Sequence, residues 1–254
     1  MTIITTFNDK LYNFSGKGLL KSIQKHLPNE KVIIYEELND IKNAGEIILP
    51  EYELINIKSL NKLKEMLELQ NDVIPPKFGG SATKTYGCKF WNKRWFGWFM
   101  KVLMAHDAIC NKNLDGFVVF VDSDIRFMKN FNDDILARLT NKKPISFFKG
   151  TRAAIESGLV VVDANHEESV KFYERYMNFF LSGDFKKLDR WDDGYVFRKI
   201  WEEHPEIPSK DVVGPHPLKP FSHVVRYGMF AKYLEHDKGS HTRRYGIFTD
   251  STRI

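Results

Sequence analysis

Cysteine is scarce. Cys88 and Cys110 are the two in 254 residues, too few for a disulfide scaffold and without the paired spacing of a zinc site. Free thiols in a reducing cytoplasm are what such usage implies. The opening MTIITTFND has no basic stretch followed by an apolar one, so no signal peptide is expected. Nowhere do about 18 apolar residues run together, so no membrane span is expected either. These absences point to a cytoplasmic protein. No internal repeat and no convincing domain boundary interrupts the chain, whose length suits one compact domain. What is present is core material: 43% of residues are hydrophobic and 14% aromatic, which excludes the disordered and low-complexity classes. A net charge of +5 suits an anionic partner such as a nucleotide, a nucleic acid or an anionic membrane surface. It equally suits a plain basic surface.

Strand-like and helix-like periods alternate. Met1–Phe7 and Lys31–Tyr35 read as strands, Glu46–Leu49 as a third, and Tyr52–Ile57 as a short extended piece. Leu19, Leu20, Ile23 and Leu27 fall at helical spacing before Pro28. Leu60–Leu69 also reads as a helix. Asn71–Gly87, with Pro75-Pro76 and Gly79-Gly80, reads as a loop, and Trp91, Trp95, Trp98, Val102 and Ala105 recur helically after it. Phe117–Val121 and Leu159–Val162 are continuous apolar β runs of the kind covered on both faces. Glu167–Leu181 reads as a helix, and Pro205–Pro220 as irregular. The pattern predicts an α/β fold: a Rossmann-like mixed, mostly parallel sheet flanked by helices in a single domain.

The sharpest chemical feature is FVVFVDSDIRF, Phe117 to Phe127, where a buried strand runs into Asp122-Ser123-Asp124. Ligands of open α/β sheets bind beyond the carboxyl ends of strands. Residues two apart on extended chain point the same way, so both carboxylates can face one site. Adjacent carboxylates repel unless a cation lies between them, and Mg²⁺ or Mn²⁺ commonly joins carboxylates to substrate phosphates. A surface turn can also carry Asp-x-Asp, but seldom after five apolar β-formers. A phosphatase of the HAD type would need Asp-x-Asp-x-Thr near the first strand. A nucleotidyltransferase would carry a Gly-rich basic loop after it, of which Ser15-Gly16-Lys17-Gly18 is a faint echo.

A second feature is the stretch Lys77 to Lys101, which has no acidic residue. Lys77, Lys84, Lys89, Lys93, Arg94 and Lys101 are interleaved there with Phe78, Tyr86, Phe90, Trp91, Trp95, Trp98 and Phe99. Such a segment fits phosphate contact and base stacking. It also fits a helix with core tryptophans and solvated lysines. A nucleic-acid-binding module with no metal is the non-enzyme alternative.

Several motifs together resemble nucleotide-sugar glycosyltransferases of the GT-A fold, of the glycogenin and galactosyltransferase kind. Thr5, Thr6, Asn8, Asp9 and Tyr12, followed by Leu19 to Ile23, are similar to the family's first strand, nucleotide loop and helix. FVVFVDSDIRF looks like its metal motif. Glu156-Ser157-Gly158 before LVVVDAN is similar to the segment lining the sugar site. Trp191-Asp192-Asp193-Gly194 resembles its acidic motif, and His236-Asp237-Lys238-Gly239 its His-x-x-Gly segment. The resemblance implies a nucleotide-binding half (1–125) and an acceptor-binding half (126–254). It implies nucleotide contacts from Thr5, Thr6, Asn8 and Tyr12, with Tyr12 able to stack on the base. Mn²⁺ or Mg²⁺ would be held by Asp122, Asp124 and His236, with Asp122 serving metal or ribose. Lys101, Ser123, Ser157, Gly158, Lys238 and Gly239 would serve the donor. The family's Lys-Pro-Trp is here His241-Thr242-Arg243-Arg244, so Lys238, Arg243 or Arg244 would take the phosphate, and His223 and His241 rival His236.

Asp193 or Asp192 would act as base in an inverting reaction, or orient the sugar in a retaining one. The same pair reads as a helix N-cap before Gly194–Ile200. The small build without an anchor, unlike Golgi-type members, also resembles phage enzymes that put sugar on hydroxymethylcytosine in DNA, which would act in the host cytoplasm. A flipped hydroxymethylated base is a chemically sensible acceptor. Glycan, lipopolysaccharide and protein acceptors stay open.

Overall fold

A computed structural model describes residues 1–37, 49–70, 97–149, 154–213, 225 and 228–236. The expected strand Glu46–Leu49, Leu49 apart, the loop Asn71–Gly87 and most of the Lys77–Lys101 stretch lie outside these residues.

The strands are β1 (Thr2–Asn8), β2 (Lys31–Glu37), β3 (Glu53–Asn56), β4 (Phe117–Val121), β5 (Ile125–Phe127), β6 (Ile145–Phe148), β7 (Glu156–Asp163), β8 (Ser209–Asp211) and β9 (Leu234–His236). The helices are α1 (Lys17–His26), α2 (Asn61–Gln70), α3 (residues 97–106, extended by the wider turn Asp107–Asn111), α4 (Asp133–Thr140), α5 (Glu167–Leu181) and α6 (Asp193–Glu203). The main sheet has the order β3-β2-β1-β4-β7-β6-β8, and β5 and β9 form a second sheet of two strands. β7 runs antiparallel to both β4 and β6, while the other pairings of the main sheet are parallel. The chain is thus a single α/β domain with a mixed, mostly parallel sheet and helices on both faces, as expected.

Alternation along the strands assigns the faces. Ile3, Val32, Ile34, Val119 and Val161 share one core with Leu19, Leu20 and Ile23 of α1 and Leu136 of α4. Ile4, Ile33, Val118, Val160 and Val162 share the other with α2, α3, α5 and α6. β4, buried at all five positions, is the seam between them.

β5, β6, β8 and β9 and helix α4 are additions to the sequence reading. β8 falls inside the stretch read as irregular. Strands of three or four residues are too short to carry a period. α4 did leave a signal: Asn132 caps it, accepting from Ile135 N at 3.1 Å, ahead of apolar Ile135, Leu136 and Leu139.

Candidate functional site

β4 ends at the centre of the sheet and delivers Asp122 to its carboxyl edge. The backbone N–H of Asp122 donates to Gly158 O at 2.8 Å, and that of Ile125 donates to Asp122 O at 3.0 Å. The chain therefore turns sharply at Asp122-Ser123-Asp124 and leaves as β5. A methyl group on Gly158 would sit 2.9 Å from Asp122 Oδ2 and 3.0 Å from Glu156 Oε1. Glycine there is what lets the Asp122 carboxylate lie against β7.

Arg126 braces the turn from behind. Its buried guanidinium donates through Nη1 to Ser123 O at 2.8 Å and to Ile125 O at 2.7 Å. It lies so close to α1 that a Cβ on Gly18 would meet Arg126 Nε at 2.6 Å. Ser123 points inward, its hydroxyl 2.8 Å from that of Ser15. Ser22 Oγ accepts from Phe127 N at 3.1 Å. The Ser-Gly-Lys-Gly sequence thus serves α1's contact with the acidic turn. These contacts of Arg126, Ser15 and Ser22 carried no signal in the sequence, because they depend on the α1–β5 contact.

His236 reaches the same place through β9. β5 and β9 pair antiparallel with Ile125 opposite His236. Phe131 stacks on Phe127 with ring centroids 5.5 Å apart and packs against Phe230 and Tyr233 at 6.4 and 5.7 Å, which fixes β9 on β5. The result puts His236 Nε2, fully buried, 3.4 Å from Asp124 Oδ1. An imidazole nitrogen and a carboxylate oxygen about 3 Å apart can share one cation with bonds of about 2.1 Å, so this pair fits Mn²⁺ or Mg²⁺. Asp122 faces elsewhere. Among the described residues, the group of three or more ligand-type side chains with donor atoms all within 4.8 Å is His106, Cys110 and Glu174, not the Asp122, Asp124 and His236 trio.

Asp122 Oδ1 instead meets Lys101 Nζ at 2.8 Å, and the same ammonium lies 3.1 Å from Asp193 Oδ2 and 3.2 Å from Ser157 Oγ. Burial pulls the pKa of Lys101 down, but the two carboxylates push it up by more, leaving it raised. One cation thus gathers Asp122, Ser157 and Asp193, which lie far apart in the sequence, around a cavity that Thr6 also lines. Tyr176 Oη donates to Asp193 O at 2.6 Å and holds the start of α6.

Asp192 faces away from this cluster. It caps α6, accepting from Tyr195 N at 3.1 Å, and pairs with Arg190 through Nε at 2.9 Å and Nη2 at 2.8 Å. Its pKa is raised, by burial first and by Asp193 beside it, against the pull of Arg190.

The nucleotide-loop residues divide. Thr6 opens on the cavity, whereas Thr5 is fully buried. Asn8 accepts from Leu11 N at 3.0 Å and caps the turn after β1. Tyr12 is 4% exposed, its ring 5.3 Å from that of Phe7, so its face is spent on the core. The exposed aromatic of that turn is Phe14, at 60%. Lys238, Gly239, His223, His241, Arg243 and Arg244 lie outside the described residues.

No protein-family model matches the chain, and no relative is found among curated proteins. Among solved structures, the chain is similar to mouse xyloside xylosyltransferase 1 in its apo form, with a TM-score of 0.51 and 12% sequence identity, over 82% of this chain and 84% of that one. At that identity the likeness shows the fold alone, a GT-A-like architecture. No described helix is long and apolar enough to cross a membrane.

Proposed function

We propose that this chain is a metal-dependent glycosyltransferase that moves a sugar from a nucleotide diphosphate, UDP by preference, to an acceptor hydroxyl. The observation that carries the reading is the meeting of Asp124 and His236 just past the end of β4, 3.4 Å apart and brought together by the β5–β9 pairing. Asp124 and His236 would hold Mn²⁺ or Mg²⁺, which supplies positive charge for the departing diphosphate. Asp122, fixed by Lys101 and by the Gly158 carbonyl, is placed for the ribose edge of the donor. Ser157 and Gly158 line the sugar position. Thr6 and Asn8 attend the nucleoside, and Phe14 offers the free apolar face that Tyr12 lacks. Lys238, Arg243 or Arg244, with Gly239, would serve the phosphates by the family resemblance.

Asp193 carries the acceptor role rather than Asp192, because Asp193 lies on the cavity and Asp192 is occupied with its cap and Arg190. In an inverting reaction Asp193 takes the acceptor proton; in a retaining one it orients the sugar. Lys101 neutralises Asp193 and Asp122 together and holds them in register. Hydroxymethylcytosine in DNA is the acceptor favoured by the cationic, aromatic stretch Lys77–Lys101, which suits a nucleic-acid strand.

Thermal unfolding with UDP, GDP, CDP or ADP, each with Mn²⁺ or with excess chelator, tests this. One diphosphate at a hundred times its Kd stabilises by about 2.7 kcal/mol, a shift of a few degrees. The shift is expected to vanish with chelator and in Asp124→Asn. Stabilisation by DNA alone, indifferent to metal and to every diphosphate, would establish a binding module instead. Transfer of labelled sugar to hydroxymethylated DNA, against unmodified DNA, tests the acceptor.

A further inference from the structure

The last turns of α3 hold a cluster that the site above does not use. His106 and Cys110, four positions apart, project toward α5 and there meet Glu174. The imidazole, thiol and carboxylate donor atoms all lie within 4.8 Å of one another. His106 is 2% exposed, and its Nε2 makes no hydrogen bond although Glu174 Oε2 stands 3.3 Å away. Cys110 Sγ has a contact of 3.8 Å with Val170 O. Read as sequence, Cys110 is a free thiol without zinc-site spacing; the third residue that changes this comes from another helix.

We propose that His106, Cys110 and Glu174 bind Zn²⁺ in a site separate from Asp124 and His236. Tetrahedral zinc with Zn–N and Zn–O bonds of about 2.0–2.2 Å sets its nitrogen and oxygen ligands about 3.3–3.5 Å apart. The His106–Glu174 separation of 3.3 Å matches that edge. The donor set selects the metal: thiolate and imidazole favour zinc, whereas Mg²⁺ and Mn²⁺ prefer oxygen. Three protein ligands leave the fourth position to water, and Glu174, 46% exposed, opens the site to solvent. A cavity whose lining includes His106, Asp107, Asn111 and Lys62 adjoins it.

A divalent cation would take the thiolate and the neutral imidazole as ligands, with release of the thiol proton. The ion would tie α3, which carries Lys101, to α5, which carries Tyr176.

Co²⁺ in place of Zn²⁺ reports this directly in the full chain. A near-ultraviolet thiolate-to-cobalt absorption band, saturating at one equivalent and abolished by added Zn²⁺, is expected. It should persist in Asp124→Asn and in Cys88→Ser and be lost in Cys110→Ser. Glu174→Gln, at a half-exposed position that tolerates the change, should weaken binding about tenfold or more with an unaltered circular dichroism spectrum. Absence of the band in the wild type, its survival in Cys110→Ser, its loss in Cys88→Ser, or unchanged affinity in Glu174→Gln would each overturn the proposal. Should Cys110→Ser fail to fold, the Glu174→Gln affinity decides.

Discussion

Lys101 concentrates the electrostatics of the site in one side chain. A raised folded pKa means that its stabilisation is complete below the unfolded value of about 10.5 and is lost only as pH climbs beyond it. Across the neutral range the contribution is therefore constant, and only substitution removes it. Lys101→Met leaves Asp122 and Asp193 facing each other with no cation. Breaking a buried pair costs about 3–5 kcal/mol. Asp122 is 27% exposed, so a smaller loss of about 2–3 kcal/mol is expected by urea unfolding at pH 7, together with loss of transferase activity. Asp192 behaves in the opposite sense. Its folded pKa is raised, so the folded state holds the proton more tightly, and stability falls as pH rises from its ordinary value near 3.8 through the folded one. Asp192→Asn keeps the cap, since Asn caps as well as Asp, and removes that penalty. Stability at pH 7 should change by less than about 1 kcal/mol, the fall of stability as pH rises above the ordinary carboxylate value should flatten, and activity should persist. Abolished activity at full stability would make Asp192 the catalytic carboxylate. At this scale the sequence displayed Asp122 and Asp124, because a buried apolar strand announces its own end, and it displayed the Asp192 cap. It could not display Lys101 as a bridge, since Lys101, Ser157 and Asp193 meet only through the sheet.

The elements that place the site differ in how legible they are. β4 and α5 were readable to the residue, β4 from its continuous apolar run and α5 from its helical period. β5 and β9 span three residues each and gain definition from the Phe127, Phe131, Phe230 and Tyr233 cluster rather than from their own pattern. The His-x-x-Gly resemblance named His236 without saying how it arrives. β7 was visible as a strand but not as the antiparallel member, because direction is set by connection and not by composition. That reversal brings Gly158 to the start of β7, beside Asp122. Gly158→Ala would push a methyl group to 2.9 Å from Asp122 Oδ2, closer than a side-chain carbon tolerates. The fold should survive with a loss of about 1–3 kcal/mol, while activity falls further than stability does. Equal catalytic rates in wild type and Gly158→Ala would separate the Asp122 carboxylate from the chemistry.

For the whole molecule, the question is whether the nucleotide half and the acceptor half are one cooperative unit. Sequence resemblance draws a line near residue 125, yet the line crosses the middle of the sheet. β4 pairs with β7 from Phe117↔Asp163 to Val121↔Leu159, and β5, which itself straddles the division, pairs with β9. Both cores draw residues from before and after it. Pairing of this kind couples the halves, so urea unfolding followed by tryptophan fluorescence and by far-ultraviolet circular dichroism should give coincident midpoints. On the proposed function, a nucleotide diphosphate with Mn²⁺ would bind only where Asp124, which precedes β5, and His236, which ends β9, are together. It should therefore raise the midpoint of both signals equally and leave the slope unchanged, because the surface exposed on unfolding is the same. If the ligand raised one signal's midpoint and not the other's, the halves would be independent folding units, and the site would lie at an interface between them rather than within one core.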